Sequence, residues 1–219
     1  VLAHEIRNPL GSISGTAEIL KDDFRPGDRK YEFLEILVKE SERLNRVVED
    51  FLRLARPQRA VMGDCDVMEE LNNVIALVTA EARKRHVGLE LKPARLPRML
   101  GDPEKLRQAF LNIILNGLQA TNPGGSVTIT GSYAEPMDEG AGRIELCFTD
   151  TGSGINGEAL ERIFEPFYTN KEDGTGLGLA ITRKIIEAHA GSIEVKSKEG
   201  EGTTFRIRLP VKRKASGDK

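Results

Sequence analysis

Four stretches of this 219-residue chain hold residue types that can do chemistry. The first, His4-Glu5-Ile6-Arg7-Asn8-Pro9-Leu10, sets an imidazole beside a carboxylate, with an amide one helical turn later and then a proline. On a helix His4 and Asn8 stand at i and i+4 and share a face. Glu5 lies about 100° around from His4, within reach of its ring. A neutral imidazole is a competent nucleophile near pH 7, and a neighbouring carboxylate can take the proton that its other nitrogen sheds on attack. Pro9 removes a backbone donor and crowds the Glu5 carbonyl, so a bend is expected there. A second histidine at position 8 would make a zinc-protease pattern, but Asn8 is a poor zinc ligand and that chemistry is excluded. Alone, His4 reads as an ordinary exposed histidine.

The second stretch is Asn112-Ile113-Ile114-Leu115-Asn116, two amides at i and i+4 on an otherwise apolar helix. Buried amides need partners, and an amide oxygen is a hard ligand suited to Mg²⁺. The third, Asp150-Thr151-Gly152-Ser153-Gly154, ends a strand. An acid there can accept from an exocyclic amine such as that of adenine, and glycines let backbone approach a flat ring. The fourth, Gly174-Thr175-Gly176-Leu177-Gly178-Leu179, runs into a helix whose first amides suit phosphate. It is neither a Walker loop, lacking Gly-Lys-Ser/Thr, nor a dinucleotide fingerprint, since Leu179 stands where the third glycine belongs. Between the third and fourth lies Ile163-Phe164-Glu165-Pro166-Phe167-Tyr168-Thr169-Asn170-Lys171, aromatic at one end and flanked by glycines. That composition suits a mobile lid, from which Lys171 can reach a terminal phosphate as a point charge.

The elements that must position these residues fall into two blocks. Ile6, Ile13 and Leu20 repeat by seven, as do Leu10, Ala17 and Phe24, and trace an apolar stripe on one helix. Phe24 to Asp28 breaks it with turn residues. A second helix is expected from about Arg29 to Ala55, with Leu37, Leu44 and Phe51 and again Leu34, Ser41, Val48 and Ala55 repeating by seven, and Pro57 closing it. Two helices cannot bury two such stripes alone, so a homodimer forming a four-helix bundle is expected. Ile6 then faces the seam and His4 faces solvent. The other arrangement is a hairpin packed on its own C-terminal domain.

The hairpin reads as 1–57 and residues 58–66 as a linker, with Arg56-Pro57-Gln58-Arg59 a short stiff stretch at their junction. A domain over 67–211 follows, then a solvated tail, 212–219. Asp66 caps a helix to about Arg85, and Asp102-Pro103-Glu104 opens another that ends near Thr121. Strands are expected at Val87–Lys92, Ser126–Tyr133, Arg143–Thr149, Ser192–Lys198 and Thr203–Leu209, with a helix from about Ile181 to His189. Hairpin-linked strands with helices between the blocks make an α+β sandwich, not a doubly wound sheet.

Composition excludes other classes. Net charge is −2, which gives no nucleic-acid footprint. No run reaches the roughly 18 apolar residues of a membrane span. Cys65 and Cys147 have no metal spacing and read as packing residues of a reducing, cytoplasmic setting. His86 and His189 read as surface or helix-end residues. The chain opens in helical pattern without a cap, so it is expected to continue upstream, where any membrane attachment would lie.

The order of these stretches resembles the sensor histidine kinases of two-component systems. His4 to Leu10 is similar to their H-box, Asn112 to Asn116 to the N-box, and Asp150 to Gly154 to the first glycine box. Phe164 to Phe167 is similar to the F-box and Gly174 to Gly178 to the second glycine box. The resemblance covers essentially the whole chain and keeps all five motifs in order. It implies a dimerisation and histidine phosphotransfer hairpin followed by a Bergerat-type ATP-binding domain, with ATP and Mg²⁺. It implies Asn116 as the metal ligand, Asp150 on the adenine amine and Asn112 near the phosphates, with Gly152, Gly154, Gly174, Thr175, Gly176, Leu177 and Gly178 around the nucleotide. His4 would accept the phosphoryl group, Glu5 act as base, and Asn8 position water to dephosphorylate the partner, the receiver domain of a response regulator. Gln119-Ala120 stands where many members have Lys-Tyr; with the short lid and Lys171 this is closer to the nitrogen-regulatory branch. Which side chain neutralises the γ-phosphate stays open, Lys171 being the candidate. The alternatives are an ATP-gated conformational ATPase of the same superfamily, which would carry a glutamate at position 112 and no H-box hairpin, and a dimeric scaffold that binds nucleotide without turnover.

Overall fold

The computed structural model describes residues 2–55, 60–135, 142–171 and 174–211. They divide into two units, Val1–Gln58 with Glu165–Gly178, and Arg59–Phe164 with Leu179–Lys219. The expected stiff stretch 56–59 and the tail 212–219 lie outside the described residues.

The first unit is built on a helical hairpin, α1 (Leu2–Lys21) and α2 (Arg29–Ala55). The turn between them uses Gly27 at φ 95°. The Asp28 carboxylate then accepts from the Lys30 amide at 2.8 Å and starts α2. Lys21 over the Tyr31 ring (5.5 Å) and Lys30 over Phe24 (5.3 Å) tie the two sides of the turn together. α1 runs unbroken through Pro9. The two heptad sets do different work. Ala17 and Ser41 are buried, with Leu10, Leu34 and Val48 half-buried, so this set closes the hairpin on itself. Ile6, Ile13, Leu20, Leu37, Leu44 and Phe51 are exposed.

The second unit begins with β1 (Gly63–Cys65), α3 (Val67–Lys84), β2 (Gly88–Leu91) and β3 (Met99–Gly101). It continues with α4 (Pro103–Ala120), β4 (Ser126–Ala134), β5 (Gly142–Asp150), α5 (Gly157–Arg162), α6 (Gly178–Ala188), β6 (Ser192–Lys198) and β7 (Gly202–Val211). Asp66 caps α3 and Asp102 caps α4, each side chain accepting first-turn amides, with Pro103 at the first turn of α4. Five strands form one sheet in the order β2-β4-β5-β7-β6, with β2 parallel to β4 and the other pairs antiparallel. Alternation along β4, β5 and β7 puts Val127, Ile129, Ile144, Leu146, Phe148, Phe205, Ile207 and Leu209 inside. They meet the buried faces of α3, α4 and α6, and the Phe110 ring of α4 lies 5.8 Å from that of Phe148. The result is a sandwich of helices on a mixed sheet, the expected α+β class.

Three short elements were not expected. β1 and β3 pair antiparallel, Cys65 against Met99, and Arg98 braces them by pairing with Asp64 at 2.7 Å. They are too short for a visible alternation, as is α5 for a helical period. α6 starts at Gly178, ahead of the expected Ile181. His189 stands at the end of α6, in keeping with the helix-end reading, but it is buried and not at the surface. Its Nε2 accepts the Asp102 amide at 2.9 Å, and its Nδ1 donates to the Ile185 carbonyl at 2.7 Å. This imidazole joins the end of α6 to the start of α4. His86 is an exposed helix-end residue, as expected. Cys65 is a packing residue: burial, then the carboxylates of Glu70 and Asp66, push its thiol up to about 11. Among the described residues no helix is long and apolar enough to cross a membrane.

Candidate nucleotide and phospho-acceptor site

Asp150 is the last residue of β5, paired with Val127 on one side and Thr203 on the other. This position buries its carboxylate at the end of the sheet. Its Oδ1 accepts the amides of Gly152 (2.9 Å) and Thr203 (3.2 Å). Oδ2 engages no donor among the described residues. Desolvation raises the Asp150 pKa above the ordinary carboxylate value, against the opposing pull of those two amides. Beside it the apolar side chains of Ile113, Val127, Phe148 and Phe205 close round with Gly117. An oriented, partly desolvated acceptor beside an apolar lining can take the exocyclic amine of an aminopurine.

The loop after Asp150 is held firmly. Ser153 N–H donates to the Ala120 carbonyl at the end of α4 (3.1 Å), and Gly200 N–H donates to the Ser153 carbonyl (2.7 Å). Gly154 has φ 70°, and a Cβ there would stand 2.1 Å from the Lys198 carbonyl oxygen, so only glycine fits.

α4 presents Asn112 and Asn116 one turn apart, both half-buried. Asn112 Nδ2 donates to the Thr182 hydroxyl of α6 at 3.2 Å. No group of three or more His, Cys, Asp or Glu side chains suited to a metal occurs among the described residues. Any ion here would rest on amide oxygen, phosphate and water, a ligand set that suits Mg²⁺.

The fourth stretch belongs to the first unit, where residues 165–178 join the hairpin. Phe167 N–H donates to the Gly176 carbonyl at 2.9 Å and closes the segment at its neck. The closure is strained. Phe167 holds φ 69°, rare for a bulky residue, and a Cβ on Gly176 (φ 65°) would sit 2.4 Å from the Phe167 carbonyl carbon. The Phe167 ring stacks on Phe51 of α2 with centroids 6.2 Å apart, and Thr175 Oγ1 donates to Asp50 Oδ2 at 3.0 Å. Lys171 is exposed, its amide donating to Thr169 Oγ1 (3.1 Å). Leu177 is buried and Gly178 opens α6.

In α1, Asn8 is exposed, and its carbonyl accepts from Ser12 Oγ at 3.1 Å. His4 and Glu5 belong to the same helix, but their side chains lie outside the described residues. The structure thus brings Asp150, Gly152 and Gly154 into one loop and Asn112 and Asn116 onto one helix. It sets Lys171, Gly174, Thr175, Gly176 and Leu177 in the other unit. Sequence reading missed Thr203, whose amide completes the Asp150 cradle, and Thr182. The signal for Thr182 was available: it is a hydroxyl on the inward face of an apolar helix.

Two family models match the chain: the His Kinase A (phospho-acceptor) domain over residues 1–60, and the histidine kinase-, DNA gyrase B-, and HSP90-like ATPase over 101–213. The sensor histidine kinase ZraS of Escherichia coli K12 is 39% identical over 211 residues, which are 96% of this chain and 44% of that protein. Sporulation kinase E of Bacillus subtilis is 37% identical over 98% of this chain and 28% of its own length. The chain therefore spans less than half the length of these curated relatives. Among solved structures, full-length ShkA in complex with AMPPNP matches with TM-score 0.76 at 29% identity, over 96% of this chain and 44% of that one. The histidine kinase ThkA in complex with the response regulator TrrA matches with TM-score 0.70 at 26% identity, over 96% of this chain and 60% of that one.

Proposed function

This chain belongs to the two-component sensor histidine kinases, and we propose that it binds ATP, phosphorylates itself on His4 and passes the phosphoryl group to an aspartate of a response regulator. The observation that carries the nucleotide half is the Asp150 carboxylate. Two backbone amides take Oδ1 and leave Oδ2 for a donor, beside the apolar side chains of Ile113, Val127, Phe148 and Phe205. The acceptor half is supported by the phospho-acceptor match over 1–60, which contains His4.

The roles follow from the chemistry of each group. Asp150 accepts the adenine amine, and Gly152 and Gly154 keep the loop thin beside the ring. Asn116 holds Mg²⁺, which when bound neutralises phosphate charge; Asn112 sits near the phosphates. Gly174 to Gly178 meet the phosphates with backbone amides at the start of α6, and Lys171 adds a point charge at the γ-phosphate. A neutral His4 nitrogen forms the N–P bond while the bond from the γ-phosphorus to the ADP oxygen breaks, and ADP leaves. Glu5 takes the proton of the other ring nitrogen. Asn8 orients water for the reverse service, dephosphorylation of the regulator. The hairpin, 1–57, pairs with a second copy through Ile6, Ile13, Leu37, Leu44 and Phe51, and 67–211 forms the catalytic domain. The setting proposed for such a kinase core is cytoplasmic.

Incubation with γ-labelled ATP tests the reading. Acid-labile, base-stable label that is lost in His4→Gln is the expected result; nucleotide binding without label would leave a scaffold, and ATP hydrolysis without label a conformational ATPase. Lys171→Ala should slow labelling, and unchanged turnover would dispose of that role. Asn8→Ala should leave labelling intact and slow dephosphorylation of the regulator.

A further inference from the structure

Thr182 stands out among the buried residues of α6. Its neighbours on the same inward face are Ala180, Ile181, Ile185 and Ile186, and Thr182 itself is 0% exposed. Valine has the same shape and carries no desolvation cost, so a hydroxyl at this depth needs a reason. Its oxygen lies 3.2 Å from Asn112 Nδ2, on the helix across from it.

We propose that Thr182 is a positioning residue that fixes which end of the Asn112 carboxamide faces the nucleotide phosphates, an inference that rests on the placement of Asn112 in the reading above. A carboxamide is a donor at one end and an acceptor at the other, and the two ends are nearly the same shape. Without an anchor it can turn over and present either. A threonine hydroxyl in a helix donates its proton to a carbonyl one turn back, which leaves its oxygen as an acceptor. Such an oxygen takes the amide NH₂ and rejects the amide oxygen. Asn112 is thereby held with Nδ2 towards α6, and Oδ1 is the end left for the ligand side. That end accepts hydrogen bonds from metal-bound water, whereas NH₂ there would repel a cation. Thr182 touches no substrate in this scheme; it acts through Asn112.

The geometry also couples two segments that bear nucleotide-binding residues. Asn112 belongs to the amide pair of α4, and Thr182 follows the glycine-rich start of α6 by one turn. A shift of α6 along its axis moves the hydroxyl and releases the amide.

The test uses the full chain and two variants, Thr182→Val, which keeps shape and removes the hydroxyl, and Thr182→Ser, which keeps the hydroxyl. Thermal denaturation establishes that both fold. Thr182→Val should lower the autophosphorylation rate about 10-fold, the usual cost of removing the partner of a ligand-holding side chain, and raise the Mg²⁺ concentration needed for half-maximal rate. Thr182→Ser should restore both. In an Asn112→Ala background Thr182→Val should change neither by more than about 2-fold, because the residue it positions is gone. A structural clasp made by the same hydrogen bond would instead leave the Mg²⁺ midpoint unmoved, which would overturn the proposal, as would additive losses in the double variant. An independent readout needs no kinase activity: the hydrogen-bonded Asn112 side-chain NH₂ proton should resonate downfield and exchange slowly with solvent in the wild type, and should move upfield and exchange faster in Thr182→Val. Identical resonances in the two proteins would overturn the positioning role even where labelling of His4 fails, and labelling that fails with the resonances as expected would count against the kinase reading alone.

Discussion

The hairpin and the sheet unit carry similar apolar stripes and treat them in opposite ways. On α4, Leu106, Phe110, Ile113, Ile114 and Leu118 are all at most 2% exposed, because the sheet covers that face. On the hairpin, Ile13, Leu37 and Leu44 are each 49% exposed, although their seven-residue spacing is as regular. Periodicity therefore marks which face must be covered, not what covers it. Within one chain α4 has its cover, and the second stripe of α1 and α2 is left exposed. Its heptad spacing suits the four-helix arrangement proposed above.

The largest effect expected from this contrast is in the sheet unit. Phe110→Ala removes a fully buried ring that meets Phe148, and should cost about 3–5 kcal/mol. Nucleotide binding should fail with it, while the oligomeric state set by the hairpin is unchanged in sedimentation. Loss of the dimer in this variant would show that the two units are not independent.

The mirror experiment is Leu44→Glu. A charge in the exposed stripe should raise the dimer dissociation constant about 30-fold or more, as loss of a central apolar anchor does. The melting transition of the sheet unit should stay where it is. A dimer that survives Leu44→Glu and Leu37→Glu together would mean that the stripe is covered by something other than a second hairpin.

The third prediction concerns Asp150, where burial acts on a charge instead of an apolar group. Its raised pKa has two consequences of opposite sign. Without nucleotide, the fold favours the protonated acid. That contribution to stability is full below the ordinary value of 3.8 and is lost as pH rises through the raised value. Nucleotide binding favours the ionised acceptor, so affinity should fall as pH is lowered through the same window. Asp150→Asn should cost roughly 10–100-fold in affinity, the range for a hydrogen bond to a charged group, and should flatten the acid limb. Calorimetric titration with a non-hydrolysable ATP analogue between pH 4 and 8 checks both; an acid limb that persists in Asp150→Asn assigns it to another group.

How much of this was legible beforehand varied with element length and with the range of the interactions. The caps at Asp66 and Asp102 and the span of α2 could be read because capping and heptads are local signals. The alternation of β4 to β7 was visible for the same reason. β1, β3 and α5 were not, being three to six residues long, shorter than the period that would reveal them. His189 could be read as a helix-end residue but not as a buried one, because its partner, the Asp102 amide, is 87 positions away. The site was legible as motifs, Asp150 and the asparagines included. The two contacts that orient them, Thr203 on Asp150 and Thr182 on Asn112, depend on strands and helices brought together by the fold. That Phe167 and Thr175 engage Phe51 and Asp50 of α2 could not be read either, since no local pattern links a glycine-rich loop to a hairpin.

The smallest expected effect lies in the polar pairs of the two units. Arg7 and Glu49 bridge the hairpin at 2.7 Å, with side chains 48% and 41% exposed. Arg107 meets Glu70 at the same distance in the sheet unit, but the Glu70 side chain is only 8% exposed. The Coulomb gain of the hairpin pair is screened by water and salt, and both long side chains lose freedom in making it. Glu49→Gln should therefore change stability by less than about 0.5 kcal/mol, and by nothing measurable at 1 M salt. Removing Arg107 leaves a carboxylate that water reaches poorly, so Arg107→Ala should cost more, about 1–3 kcal/mol, with little dependence on salt. Chemical denaturation of the four combinations at low and high salt measures both. Equal losses would mean that the hairpin pair is shielded in the dimer, and that the exposed stripe beside it is buried more deeply there than the four-helix arrangement implies.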